Sequence, residues 1–242
     1  MINFPAIFSQ ILSLFKKDPI IAIPYLFYGF LSTTLYLYFP YLSKDTSLAT
    51  SILVCFVSEW YLKAIALIFT ILIAKRLVND VDLDLPDIYM EFKKFFFPIL
   101  FILFIYTAPQ IYLVLRLKGL DNMVLFKGDI SYFFIALFFF ITITLLLFSP
   151  FMVLSGHYTF SQSITASARF VKRHLRSVLI YFGLLMVSFF LFIIYDALLS
   201  LVPVLNLPLR VIYMSTFSSV KLLVLLFIYE DRCTDGSFSI MI

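Results

Sequence analysis

The stretch SEWYLKAIALIFTILIAKR, Ser58–Arg76, decides the class of this chain. Eleven residues separate Lys63 from Lys75, and all are apolar except Thr70. Upstream, Ile52–Val57 is apolar again. A hydrocarbon core of about 30 Å needs about 20 helical residues, and the combined run meets that length. Yet Glu59 and Lys63 lie inside it, one helical turn apart. The segment therefore reads as a membrane span with a carboxylate and an ammonium at depth.

The same pattern extends along the whole chain. Of 242 residues, 63% are apolar and 13% are charged. A soluble domain averages roughly 45–50% and 25%, so a soluble chain of this composition would lack polar surface. The reading is an all-α polytopic membrane protein, one transmembrane domain over residues 1–242. Six spans are expected, roughly at 19–42, 51–74, 95–115, 130–154, 177–195 and 209–229. Pro24, Pro98 and Pro109 fall inside them and are expected to bend their helices. Only six glycines occur and no GxxxG, so packing is expected to rest on Phe, Leu, Ser and Thr.

Charge orients the spans. The N-terminus, the 75–94 and 155–176 loops and the tail carry eleven of the eighteen Lys and Arg residues, and the opposite loops carry five. Lys63 and Lys221 lie within spans. The positive-inside rule places both termini in the cytoplasm of a multi-pass protein of the cell membrane. The net charge of +4 is a topology signal, and no nucleic-acid partner is expected. No signal peptide is expected, because Lys16 and Lys17 follow the first apolar stretch. Cys55 and Cys233 fall at different depths, so no disulfide is expected.

Three segments before spans resemble each other: FSQILSLFKK, LPDIYMEFKK and ITASARFVKR, ending at Lys17, Lys94 and Arg173. They suggest three hairpins, each preceded by a cytoplasmic amphipathic helix, related about an axis along the membrane normal. The alternative is that any basic approach to a span looks this way. In the third segment Ile164, Ala168, Val171 and Leu175 share one face, and Arg169, Lys172, Arg173 and Arg176 share another. Ser161 or Ser163 is the expected cap. The helix is expected to lie in the interface with its apolar face in lipid. The four basic residues are candidate contacts for lipid head groups, or topology anchors and nothing more.

The stretch FSPFMVLSGHYTFSQSITASARFVKRHLRSVLIYF resembles a group of prokaryotic six-span membrane proteins. That group includes the membrane domain of some glycerophosphodiester phosphodiesterases and uncharacterised relatives. Pro150, Ser161, Ala166, Ser167 and Lys172 carry the likeness, with Asp18, Pro19 and Pro24 in FKKDPIIAIPYLF. Many members have an acidic residue where this chain reads Gly156-His157. The resemblance implies a fold and a membrane location, and it brings no catalytic residues.

No nucleophile–base constellation, phosphate loop, cofactor motif or zinc motif occurs, and His157 and His174 have no partner in sequence. Asp80, Asp82, Asp84 and Glu91 match four positions of a calcium loop, but Leu85-Pro86 stands where the turn needs Gly. No metal, cofactor or enzymatic activity is expected. The buried polar cluster is Glu59, Lys63 and Lys221. Lys63 lies about 18 Å from Lys75 along its helix, and Lys221 about 13 Å from Glu230. Such residues face a bundle interior and pair with one another, or they fix helix packing. Two lysines against one glutamate leave a positive surplus: either one lysine is neutral, a partner such as Asp196 reaches in, or an anion binds. Two functions stay open. One is an accessory or scaffold protein contacting anionic lipids, with a protein partner in the membrane. The alternative is a transporter or lipid-handling protein with an anionic substrate near the midplane. Oligomeric state is not legible.

Overall fold

The computed structural model describes residues 4–45, 48–118, 130–156, 158–199 and 203–234. Among the described residues all regular structure is helical, in nine helices and one short 3-10 turn. They are α1 (Phe4–Lys17), α2 (Ile23–Asp45), α3 (Leu48–Val78), α4 (Leu85–Lys118), α5 (Ile130–Leu146), α6 (Ser149–Leu154), α7 (Phe160–Arg173), α8 (Leu175–Leu199) and α9 (Pro203–Thr234). Three helical segments are long and apolar enough to cross a membrane: Leu53–Val78, Leu175–Tyr195 and Leu207–Asp231. They correspond to the second, fifth and sixth expected spans. Pro19–Leu35 and Phe140–Leu154 are shorter apolar stretches.

Helix α3 packs along α2 and α4, and α9 packs against α2, α8 and α1. Lys17, on α1, bonds the end of α3, and the charge of Glu230, near the end of α9, acts on Lys75. This end of the bundle also carries Arg76, Arg169, Lys172 and Arg173, and is called the basic end below. The core is concentrated in this half. Ile68, Ile71 and Leu72 of α3, Ile99 and Ile102 of α4 and Leu223 and Leu226 of α9 are all buried there. On α4 the buried positions Ile88, Phe95, Ile99 and Ile102 recur at helical spacing. Phe97, Phe101 and Phe104 on the other side are exposed, as are Met186, Val187, Phe190 and Leu191 on α8. Contiguous exposed apolar surface of this kind is foreign to a soluble monomer and natural in lipid. Small hydroxyl residues fill the helix interfaces: Ser51, Thr70, Ser149, Ser163, Ser167, Ser215 and Ser219 are buried.

Several expectations need correction. The second amphipathic segment is not a separate helix; it is the first part of α4, a continuous helix of 34 residues through Pro98 and Pro109. Pro24 does not bend a helix from its interior. It occupies the first turn of α2, where its missing N–H costs nothing. The segment expected as the fourth span is broken between α5 and α6 at Leu147-Phe148, ahead of Pro150. The break exposes backbone groups, and side chains satisfy them. Ser167 Oγ accepts from the Phe148 N–H (3.1 Å) and donates to the Leu145 carbonyl (2.7 Å). Ser149 and Tyr106 both donate to the Leu146 carbonyl.

Helix α7 also departs from expectation. Its cap is Thr159, in a capping box with Gln162, and neither Ser161 nor Ser163. Its buried face is Ser163, Ala166, Ser167, Phe170 and Val171, docked on α5 and α6. The hydroxyls of Ser163 and Ser167 made that face look polar in sequence, so α7 is part of the protein core and does not lie with a free apolar face in lipid. Arg176 belongs to α8, because the helix is interrupted at His174, so the four basic residues do not form one helical face.

At the end of α3, Asp80 adopts φ 53° and the Val81 N–H reaches the Arg76 carbonyl at 2.9 Å, a Schellman-type close. Lys17 donates to the Leu77 carbonyl at 3.0 Å and pairs with Asp80. This hydrogen bond and its charge hold the Asp80 carboxyl below its usual value. A depressed carboxyl stabilises the fold above its unfolded-state pKa, and the contribution fades as pH falls through the folded value. Asp80→Asn keeps the left-handed turn and removes the charge. It is expected to lower the melting temperature slightly at pH 7 and low salt, with no difference from wild type well below pH 4. The exposed pair is worth little, and added salt should shrink the effect.

Candidate functional site: a polar cavity at the far end

Helices α2, α3 and α9 enclose a cavity of about 520 Å³ at the end opposite the basic layer. Pockets for small molecules run from about 300 to 1,000 Å³. The wall of this one contains Tyr28, Gly29, Ser32 and Thr33 from α2, Glu59 from α3, and Arg210, Val211, Ser215 and Ser218 from α9. Leu37, Leu207 and Met214 complete it, and all three are exposed.

Local sequence explains the space. Helices α2 and α9 run antiparallel and approach closely where Gly29 meets Ser215; a Cβ at Gly29 would collide with Ser215 Oγ. Outward of this contact the chain offers short Ser and Thr side chains, so the gap is not filled. Tyr28 Oη donates to Glu59 Oε1 at 3.0 Å, which sets the carboxylate level with the Gly29–Ser215 contact. Arg210 lies five residues outward of Ser215, about 7.5 Å along the axis, at the mouth. Glu59 thus forms the floor. Ser215 Oγ is buried in the wall with no hydrogen-bond partner.

The charge of Glu59 acts on Lys63, and that of Lys63 on Lys221. The structure therefore brings Glu59, Lys63 and Lys221 within electrostatic range in that order. Neither lysine lines the cavity; both lie beneath it. The side chain of Asp196, the proposed balancing acid, lies outside the described residues.

At the basic end a second groove of about 520 Å³ runs between α5, α7 and α8. Phe140, Ile141, Leu145, Val178, Leu179 and Phe182 make it apolar, and Arg169 and Lys172 stand at its rim. Arg173 and Arg176 do not line it. The acidic loop is committed elsewhere: Arg76 binds Glu91 at 3.1 Å and approaches Asp87 at 3.8 Å, while Asp80 pairs with Lys17. Among the described residues no three His, Cys, Asp or Glu side chains converge as metal ligands. His174 ends α7 and stacks on Phe170 at 4.7 Å. His157 and the Cys233 side chain lie outside the described residues, and Cys55 is buried with a free thiol.

Sequence reasoning missed Arg210, Ser215 and Tyr28. The signal was present in two hydroxyl-rich runs, GFLSTT at 29–34 and MSTFSS at 214–219. Only their pairing across α2 and α9 turns them into a wall. No protein-family profile, curated protein or solved structure matches this chain.

Proposed function

We propose that the chain is a six-span, non-enzymatic protein of the cell membrane that holds an anionic phospholipid at its cytoplasmic face. The observation that carries this reading is the apolar groove between α5 and α8 with Arg169 and Lys172 at its rim. An acyl chain suits the groove, and a phosphate suits the two cations. Lys17 of α1 bonds the end of α3, where the charge of Glu230 near the end of α9 acts on Lys75; this supports an even span count, and the positive-inside rule makes that end cytoplasmic. Helix packing also supports three related hairpins. Helix α4 lies on α3 and α2 lies on α9, while α8 meets α5 through the Phe140–Phe182 ring contact at 5.3 Å. The third of these seams is the one left open as the groove. The likeness to six-span prokaryotic membrane proteins agrees with this arrangement. An accessory or scaffold role, with a protein partner in the membrane, is the part played by such a fold without catalytic groups.

Arg169→Ala with Lys172→Ala tests the reading. A basic residue near an anionic surface contributes about 1 kcal/mol, so the pair is worth about 30-fold in affinity. Native mass spectrometry is expected to show that loss for phosphatidylglycerol, with Lys93→Ala and Lys94→Ala as the comparison. Unchanged retention would remove the proposal. The second reading, a transporter or lipid-handling protein, has the far-end cavity in its favour. That cavity offers a carboxylate at its floor, with both mid-depth lysines beneath it.

A further inference from the structure

We infer that the far-end cavity binds a zwitterionic head group carrying a primary ammonium and a phosphate, the ammonium at Glu59 and the phosphate at Arg210. This stands apart from the anionic-lipid groove at the basic end and deepens the lipid-handling reading of the cavity.

The argument starts from the order of groups along the shaft. Glu59 and Tyr28 form the floor, Ser215 and Ser218 line one side, Ser32 lines another, and Arg210 stands at the mouth. A carboxylate accepts hydrogen bonds and donates none, and an ammonium offers three donors. One donor reaches Glu59, which leaves two for neighbouring hydroxyl oxygens. The hydroxyls of Ser32 and Ser218 line the same cavity and are the acceptors for those two donors, whereas Ser215 Oγ is shut against Gly29. Arg210 presents the planar fork that suits a phosphate. The separation of about 7.5 Å along α9 is spanned once the two side chains reach toward the ligand.

The mouth specifies where such a head group comes from. Leu37, Leu207 and Met214 are exposed apolar residues around it. They suit the glycerol and first acyl carbons of a lipid whose head group turns inward. A trimethylated ammonium has no N–H to give Glu59 or Ser218, so a choline head group is excluded by hydrogen bonding. A glycerol head group brings neutral hydroxyls to Glu59, so the carboxylate is left without a countercharge.

Native mass spectrometry of the full chain with equal amounts of phosphatidylethanolamine, phosphatidylcholine and phosphatidylglycerol tests this, with soluble phosphoethanolamine in a separate titration. Binding to this cavity is read as the lipid retained in the Arg169→Ala, Lys172→Ala background, where the basic-end groove is disabled. Phosphatidylethanolamine is expected to be retained about tenfold over both others. Glu59→Gln should weaken it about 30-fold or more, as loss of one member of a desolvated charge pair does. Ser218→Ala should weaken it about fivefold. Comparable retention of soluble phosphoethanolamine would identify the head group alone as the ligand, and its absence would identify the intact lipid. Equal retention of all three lipids, with no soluble binding, would overturn the inference. So would phosphatidylethanolamine retention indifferent to Glu59→Gln and Ser218→Ala. Should Glu59→Gln fail to fold, Arg210→Gln and Leu207→Trp at the exposed mouth carry the same test, and a silent result from both overturns it.

Discussion

Phe170→Ala is expected to lower the unfolding free energy by about 3–5 kcal/mol, the usual cost of deleting a buried Phe. Phe170 is 1% exposed. Its ring lies 4.6 Å from Phe148, 4.7 Å from His174 and 5.7 Å from Tyr229. These contacts tie α7 to the α5–α6 break and to α9, so three elements meet on one side chain. Rings on separate helices cannot all move in to fill the space, and the cavity stays open. Denaturant titration in mixed micelles measures the loss. A loss below about 1 kcal/mol would mean that α7 is only loosely docked.

Ser167→Ala is expected to cost about 2–5 kcal/mol, although only one oxygen is removed. That hydroxyl serves both sides of the α5–α6 break, accepting from Phe148 N–H and donating to the Leu145 carbonyl. Its loss strands a buried donor and a buried acceptor, at about 1–3 kcal/mol each. Water cannot replace it at a site with no exposure. Ser149→Ala is the comparison. The Leu146 carbonyl keeps its bond from Tyr106, so the expected loss is smaller. Equal losses in the two variants, measured by the same titration, would show that the break is not held by Ser167.

The helical membrane class was legible because apolar length and basic flanks are one-dimensional properties. The stretch from Leu53 to Val78 carries both, and the structure keeps it as a single helix. Helix α7 was misread because buried Ser163 and Ser167 look solvent-facing when hydrophobicity alone defines the inner face. The Ser167 hydroxyl is inside because a broken helix needs it there, and that of Ser163 bonds back to the Phe160 carbonyl of its own helix. The cavity was invisible for a related reason. Glu59 stood out as a charge at depth, but Tyr28 and Ser215 become informative only through the antiparallel register that Gly29 permits. Arg210 was counted as a topology signal, and nothing in a linear reading gives such a residue a second task.

The cavity sits in one half of the bundle and the dry core in the other, and this changes how voltage is distributed. In the orientation proposed above, with the far end outward in an energised membrane, aqueous access would carry the outside potential down to the Glu59 floor. The drop then falls across the layer of Ile68, Ile71, Leu72, Leu223 and Leu226. A charge arriving at Glu59 crosses little of the field, so its binding is nearly voltage-independent. A charge carried on from Glu59 to the level of Lys75 crosses nearly all of it, at about 2.3 kcal/mol per 100 mV.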